Sequence, residues 1–205
     1  MILLRNSIAV LLAIALTTAC GNGQQQKSVQ DDKKPMSSQS SKTQVTNNEL
    51  LQAALKGNIQ LIRRAVEQGI DIDKPNNAGR TPLMMAAYNG HTEVVKYLVE
   101  RDAKVQRADS QGRTPLIFAS SGAFPETVKA LLDHGARPNI TDNQEGWSAL
   151  MWAAAEGRTE VVRLLLENGA DHTLKDKDGE TAEDFAVSNG HDEVVQILKQ
   201  AKENN

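Results

Sequence analysis

A unit of 33–34 residues recurs along this chain, and that recurrence leaves little freedom over the fold. Gly79-Arg80-Thr81-Pro82-Leu83, Gly112-Arg113-Thr114-Pro115-Leu116, Gly146-Trp147-Ser148-Ala149-Leu150 and Gly179-Glu180-Thr181-Ala182-Glu183 stand in register. Their glycines are 33, 34 and 33 residues apart. Other columns keep the same phase: Ala86-Ala87, Ala119-Ser120, Ala153-Ala154 and Ala186-Val187, then Glu93, Glu126, Glu160 and Glu193. Residues 47–78 hold a degenerate earlier copy with Leu50, Ala53-Ala54, Gly57-Asn58 and Gly69. Self-similarity at this period marks a stacked array in which no single unit buries its own apolar face.

Each column has a physical reading. Thr81 and Thr114 suit helix N-caps, and Pro82 and Pro115 suit a first turn, where no N–H partner is needed. Paired alanines let two helices approach closely. Gly90, Gly157 and Gly190 allow a left-handed turn between helices. Val94, Val95, Leu98 and Val99 set one apolar stripe on the second helix. Asp109, Asp142 and Asp176 supply turn chemistry a few residues before each glycine. The unit therefore reads as a hairpin-like finger followed by two antiparallel helices.

These motifs, recurring in phase, resemble the ankyrin repeat over nearly all of residues 47–200. The resemblance implies an all-α repeat solenoid of stacked helix–turn–helix units with short β-hairpin-like fingers. Five units are expected: 47–78 as an N-terminal cap, 79–111, 112–145, 146–178, and 179–205 as a C-terminal cap. The sequence departs from the family pattern in several places. The usual His after Thr-Pro-Leu is replaced by Met84, Ile117, Met151 and Asp184, so apolar packing is expected to offset lost inter-repeat hydrogen bonds. Glu183 and Asp184 suit a solvent-facing end. Ala123-Phe124-Pro125 replaces Gly-His-Thr, with the glycine shifted to Gly122, and one extra residue lies in Thr141–Gly146. The third and fourth units are therefore expected to meet at an irregular finger carrying Trp147.

Ahead of the array, Met1–Cys20 opens with Arg5, runs apolar from Ile8 to Leu16 and turns small at Thr17-Thr18-Ala19. Such a run rises about 14 Å as a helix, short of a bilayer core of about 30 Å. Residues 1–19 thus read as a signal helix for secretion rather than a membrane span. Leu16-Thr17-Thr18-Ala19-Cys20-Gly21 resembles the lipobox of bacterial lipoproteins, with Thr17 where that pattern usually has Leu. The resemblance implies a lipid on Cys20, the chain's one cysteine. Gly21, rather than Asp, resembles the pattern that sorts to an outer membrane. The expected location is the periplasmic side of a bacterial cell envelope. Ordinary signal cleavage would instead leave a soluble periplasmic or secreted protein. Residues 20–46 are polar and cannot bury enough surface to offset their ordering entropy, so they read as a disordered linker reaching some 25–30 Å.

Charge and chemistry narrow the function. The chain carries a formal net charge of −3. Five basic and two acidic residues precede Asn47, which leaves about −6 on residues 47–205. Such a surface repels a phosphate backbone, and no nucleic acid is expected as partner. His91, His134, His172 and His191 fall at repeat positions rather than at metal-ligand spacing, and His91 and His191 match a structural Gly-His column. Acid pairs such as Asp176/Asp178 lie in turns and lack the remaining ligands of a calcium loop. No phosphate cradle or nucleophile elbow occurs, so no cofactor, metal or catalytic residue is expected.

Aromatic residues make up only 3% of the chain, and their placement is informative. Phe118, Trp152 and Phe185 align with Met85, which argues for core. Arg80, Tyr88, Asn89, Arg113, Ser121, Trp147 and Glu156 fall on finger and first-helix positions. The ankyrin resemblance implies that these line a concave recognition face, where aromatic and arginine side chains are natural anchors. The expected function is a monomeric, envelope-tethered module that binds another protein as adaptor, inhibitor or protector. Binding or processing of a small molecule in the groove is the alternative, and it would require a convergent polar pocket.

Overall fold

The computed structural model describes residues 44–203. The expected signal segment, Cys20 and all but the last three residues of the expected linker lie outside them. Among the described residues, ten helices form five antiparallel pairs: α1 (Asn47–Lys56) with α2 (Ile59–Glu67), α3 (Pro82–Tyr88) with α4 (Thr92–Val99), α5 (Pro115–Ser120) with α6 (Pro125–Asp133), α7 (Ala149–Ala155) with α8 (Thr159–Glu167), and α9 (Ala182–Ser188) with α10 (Asp192–Glu203). The first helices of successive pairs pack together in one layer and the second helices in another. The fingers hold no strand among the described residues; one isolated bridge joins Thr141 to Ser148. The fold is the all-helical repeat stack that the sequence period implied.

Every first helix starts on a hydroxyl. Thr46, Thr81, Thr114, Ser148 and Thr181 have extended backbone and accept the N–H three residues on. This satisfies one of the donors a helix start leaves open. The reciprocal contact differs between ends and middle. In α1 and α9 a carboxylate accepts the cap N–H, Glu49 at 2.7 Å and Asp184 at 2.8 Å. In α3 and α7 the sulfur of Met84 or Met151 takes that place at 3.4 Å. Ile117 in α5 has no acceptor to offer. The methionines that stand where the family has His therefore do more than pack: they close a weak capping box.

The core is two columns of leucine. Leu50, Leu83, Leu116 and Leu150 line the first-helix layer, and Leu98, Leu131, Leu165 and Leu198 line the second, each at most 1% exposed. Each buried leucine contributes about 1.5–3 kcal/mol, and because the helices that carry them pack on the equivalent helices of neighbouring units, no pair is stable alone. Glu183 ends the first column; it is half-buried and meets the Lys202 ammonium. The folded region also begins slightly earlier than the expected boundary at Asn47. Val45 is buried, its N–H donates to Gln68 Oε1 at 2.7 Å, and Thr46 caps α1.

Candidate functional site

The fingers repeat one turn. Asn76, Asp109 and Asp176 each accept with Oδ1 from the N–H groups two and four residues on, at 2.8–3.0 Å. A short side chain with a free oxygen is what such a turn requires. The finger before Trp147 is one residue longer, and Asp142 Oδ1 accepts from three successive N–H groups there, those of Gln144, Glu145 and Gly146, at 2.9–3.1 Å. The extra residue is thus absorbed at the tip. Neighbouring tips are then tied by backbone bonds from Ser110 to Ala78 O, Asn143 to Gln111 O and Lys177 to Glu145 O, at 2.8–3.0 Å. The expected irregularity stays local, and the ladder of fingers is unbroken.

At the far ends of α1, α3, α7 and α9 the chain turns on a left-handed glycine, Gly57, Gly90, Gly157 and Gly190, and the first three of these each carry a ring of the next unit. The His91 ring sits on Gly57 and the His191 ring on Gly157, so closely that a Cβ would lie 2.6 Å from Nδ1. Their Nε2 atoms bond the carbonyls of Leu55 and Ala155 at 2.9 and 3.0 Å. The amides of Asn89 and Asn189 reach the same two carbonyls at 2.6 and 2.9 Å. Arg158 takes the place of His in the fourth unit and donates from Nε to Ser121 O at 3.3 Å. In the third unit the ring is that of Phe124, which lies on both Gly90 and Gly122. This explains the displaced glycine: a phenyl ring fills the imidazole's place, and Gly122 leaves room for it.

Of the seven residues expected to line a recognition face, Asn89 is exposed, and Arg80, Tyr88, Ser121 and Glu156 are partly exposed. Arg113 and Trp147 are not on the surface. Arg113 is 7% exposed because its guanidinium turns back on Asp109, with Nε and Nη2 donating to Oδ2 at 3.2 and 2.8 Å. It also lies 4.7 Å over the Phe118 ring. Trp147 is 5% exposed because its indole packs on Trp152 and Phe185, with ring centroids 4.8 and 4.3 Å apart. Its Nε1 donates to Asp176 Oδ2 at 3.2 Å.

Trp152 corrects the expectation in the other direction. Phe118 and Phe185 are buried as their column suggested, but Trp152 is only partly so, and its Nε1 has no acceptor. Column position alone could not tell which of two neighbouring indoles would take the inner place. Arg80 completes the picture on the finger side. Its Nε lies 3.5 Å from Asp109 Oδ2, and its guanidinium is 5.5 Å from the Phe118 centroid. Tyr88 meets the same ring edge-on at 6.2 Å.

Other chemistry is sparse. Asp176, Asp178 and Glu180 bring carboxylate oxygens within 4.8 Å of one another. Asp176 already holds turn N–H groups with Oδ1 and the Trp147 indole with Oδ2, so its part of the group serves the finger. An open hollow of about 670 Å³ lies between Ala170, His172 and Lys202, apart from the fingers. A family model for ankyrin repeats (3 copies) matches the chain over residues 50–142 and again over 126–205. No curated protein matches it.

Proposed function

The chain belongs to the ankyrin-repeat family, whose members act as protein-binding modules, and from that premise we propose that it binds a protein across its fingers and first-helix ends. One observation carries this reading. The residues that share one repeat position at or beside the ends of successive first helices, Leu55, Tyr88, Ser121, Ala155 and Ser188, are all left at least partly exposed, while the alanine or serine just before each of the first four is buried. Side chains there vary freely because the stack does not need them, whereas the neighbouring columns are dictated by packing. A surface of half-exposed aromatic, polar and charged groups over a rigid frame suits a partner that must be recognised specifically. Tyr88 and Ser121 lie on that row, Asn89 and Glu156 share the next position along, and Trp152 joins the candidates in place of Trp147.

The test is affinity capture followed by mass spectrometry, then binding of the captured protein to variants. A Tyr88→Ala/Glu156→Ala chain that melts like the parent should bind at least about tenfold more weakly, the loss of one good anchor. Full affinity would reject this face.

The setting of the module is the second part of the proposal. The lipobox-like Leu16–Gly21 segment and the polar residues after it support a lipid on Cys20 and a tether on the periplasmic side of a bacterial envelope. An adaptor, inhibitor or protector of an envelope protein fits that setting. Among the described residues no helix is long and apolar enough to cross a membrane. Cys20→Ser should move the chain from the membrane to the soluble fraction. Unchanged membrane retention would reject the lipid anchor and leave the binding face untouched.

A further inference from the structure

We propose that the partner presents a carboxylate to Arg80, so that an acidic segment docks over the second and third units. This rests on the protein-binding reading above and narrows it.

The argument starts from Asp109. Its side chain is 1% exposed, and both oxygens are taken. Oδ1 accepts two turn N–H groups, and Oδ2 accepts two N–H groups of Arg113. A carboxylate held this way has little left for a second guanidinium. Arg80 nevertheless stands beside it, at 3.5 Å but outside hydrogen-bond geometry. Two cations thus share one anion, and the niche keeps a net positive charge.

Arg80 is also held in place. The Asp109 charge and the Phe118 face fix its guanidinium, and Tyr88 stands at the edge of the same ring. Its Nε is buried without an acceptor, yet the side chain as a whole is 24% exposed. No hydrogen bond from this side chain is found among the described residues. A planar fork of donors, positioned in advance and lacking an acceptor, matches the geometry of a carboxylate. Ordering it on binding costs less than ordering a free surface arginine.

Charge elsewhere confines the acidic contact to this end. The finger leading into the fifth unit gathers the carboxylates of Asp176, Asp178 and Glu180 within 4.8 Å of one another, while the Lys177 ammonium is turned to the carbonyls of Asn143 and Gln144. An acidic segment extending that way meets like charge, so the favourable placement runs over Arg80 and Tyr88 and stops short of the fifth finger.

A library of random 12-residue peptides displayed on phage, selected against the full chain, tests this. The expected result is enrichment of Asp or Glu, with binding of synthetic peptides weakened about tenfold by Arg80→Gln, by the matching Glu→Gln change in the peptide, and by raised salt. Arg80→Lys should recover only part of the loss, because the fork is missing. Binders that depend on Tyr88 but show no acidic preference, or ignore Arg80→Gln, would overturn the inference and leave the binding face standing. Binders that ignore both Tyr88 and Arg80, or no binders at all, would overturn the inference together with the reading beneath it. A melting curve equal to that of the parent shows that Arg80→Gln has not acted through unfolding.

Discussion

The finger positions at two junctions of the stack solve the same problem with opposite chemistry. Between the second and third units, the residue after the finger glycine is Arg80 or Arg113, and both converge on the buried Asp109 above the Phe118 ring. Between the fourth and fifth units, the equivalent residue is Trp147, packed on Trp152 and Phe185 and held by one bond to Asp176. Both arrangements join a first-helix aromatic to a finger carboxylate. They differ in where the energy resides. The indole junction rests on area and packing, which single polar changes barely touch. The arginine junction rests on the buried Asp109–Arg113 pair, with Arg80 beside it, and a buried ion pair contributes little until it is broken.

That difference can be tested from the aromatic side first, where the largest effect is expected. Trp147→Ala removes a buried indole from between two rings and should cost about 3–5 kcal/mol in chemical denaturation. Were the indole a solvent-facing anchor, the loss would be within about 0.5 kcal/mol. On the charged side, Asp109→Ala should cost about 3 kcal/mol, because the Arg113 guanidinium is left buried without its partner. Asp176→Ala, which frees turn N–H groups nearer to solvent, should cost only about 1–2 kcal/mol. A double Asp109→Leu/Arg113→Met variant sharpens the contrast: it should recover much of the single-variant loss, as apolar replacement of a buried pair does. If the double variant were as damaged as the sum of both singles, the ion-pair view of this junction would fail.

The period, the helix pairs and the caps were all legible in the sequence, since each depends on local chemistry repeated in phase. Thr81 and Thr114 announce helix starts by residue type, and Gly90 and Gly157 announce turns. The face was legible only in part. Arg113 and Trp147 occupy the same column as Arg80, and a column says which way the backbone points, not what a long side chain folds back upon. Arg113 is drawn in by an aspartate four residues earlier, and Trp147 by an aspartate in the next finger, 29 residues on. The first partner was within reach of local reasoning; the second requires the stacking to be known. The sulfur caps at Met84 and Met151 were missed because methionine is read as filler, although Sδ is a weak acceptor.

A smaller effect follows from the glycine that Phe124 covers. Gly90 and Gly190 share the left-handed backbone, with φ of +67° and +74°, but only Gly90 has a ring upon it. An alanine at Gly190 meets nothing within 4 Å and should cost about 1 kcal/mol of backbone strain. At Gly90 the new methyl would lie 2.2 Å from Phe124 Cδ1, and Gly122 closes off the other side of that ring. The ring has nowhere to go, so Gly90→Ala should cost about 2–3 kcal/mol once the clash is added. Equal melting of the two variants would mean that the phenyl ring is not a fixed wedge between the second and third units.

The smallest expected effect is of acid, and it separates the ends of the stack from the middle. Asp184 accepts the Thr181 hydroxyl at 2.6 Å and the Thr181 N–H at 2.8 Å, and these bonds hold its carboxyl below the usual aspartate range. Glu49 is lowered in the same way by the N–H and the hydroxyl of Thr46. A group whose pKa is lower in the folded state stabilises fully above its unfolded value, about 4 for aspartate. That stabilisation fades as the pH falls through the lower folded value, because protonation removes the acceptor from the capping box. The interior helices α3, α5 and α7 have Met84, Ile117 or Met151 in this position and carry no such dependence. Acid below about pH 4 should therefore loosen the starts of α1 and α9 before those of the interior helices. Amide hydrogen exchange resolved by residue would show this as lost protection at the two ends. Asp184→Asn should flatten the response of α9 while leaving α3 and α7 unchanged. The gain at stake there is below about 1 kcal/mol, since solvent screens the exposed pair. Simultaneous loss of protection in α3 would remove the distinction between carboxylate and sulfur caps.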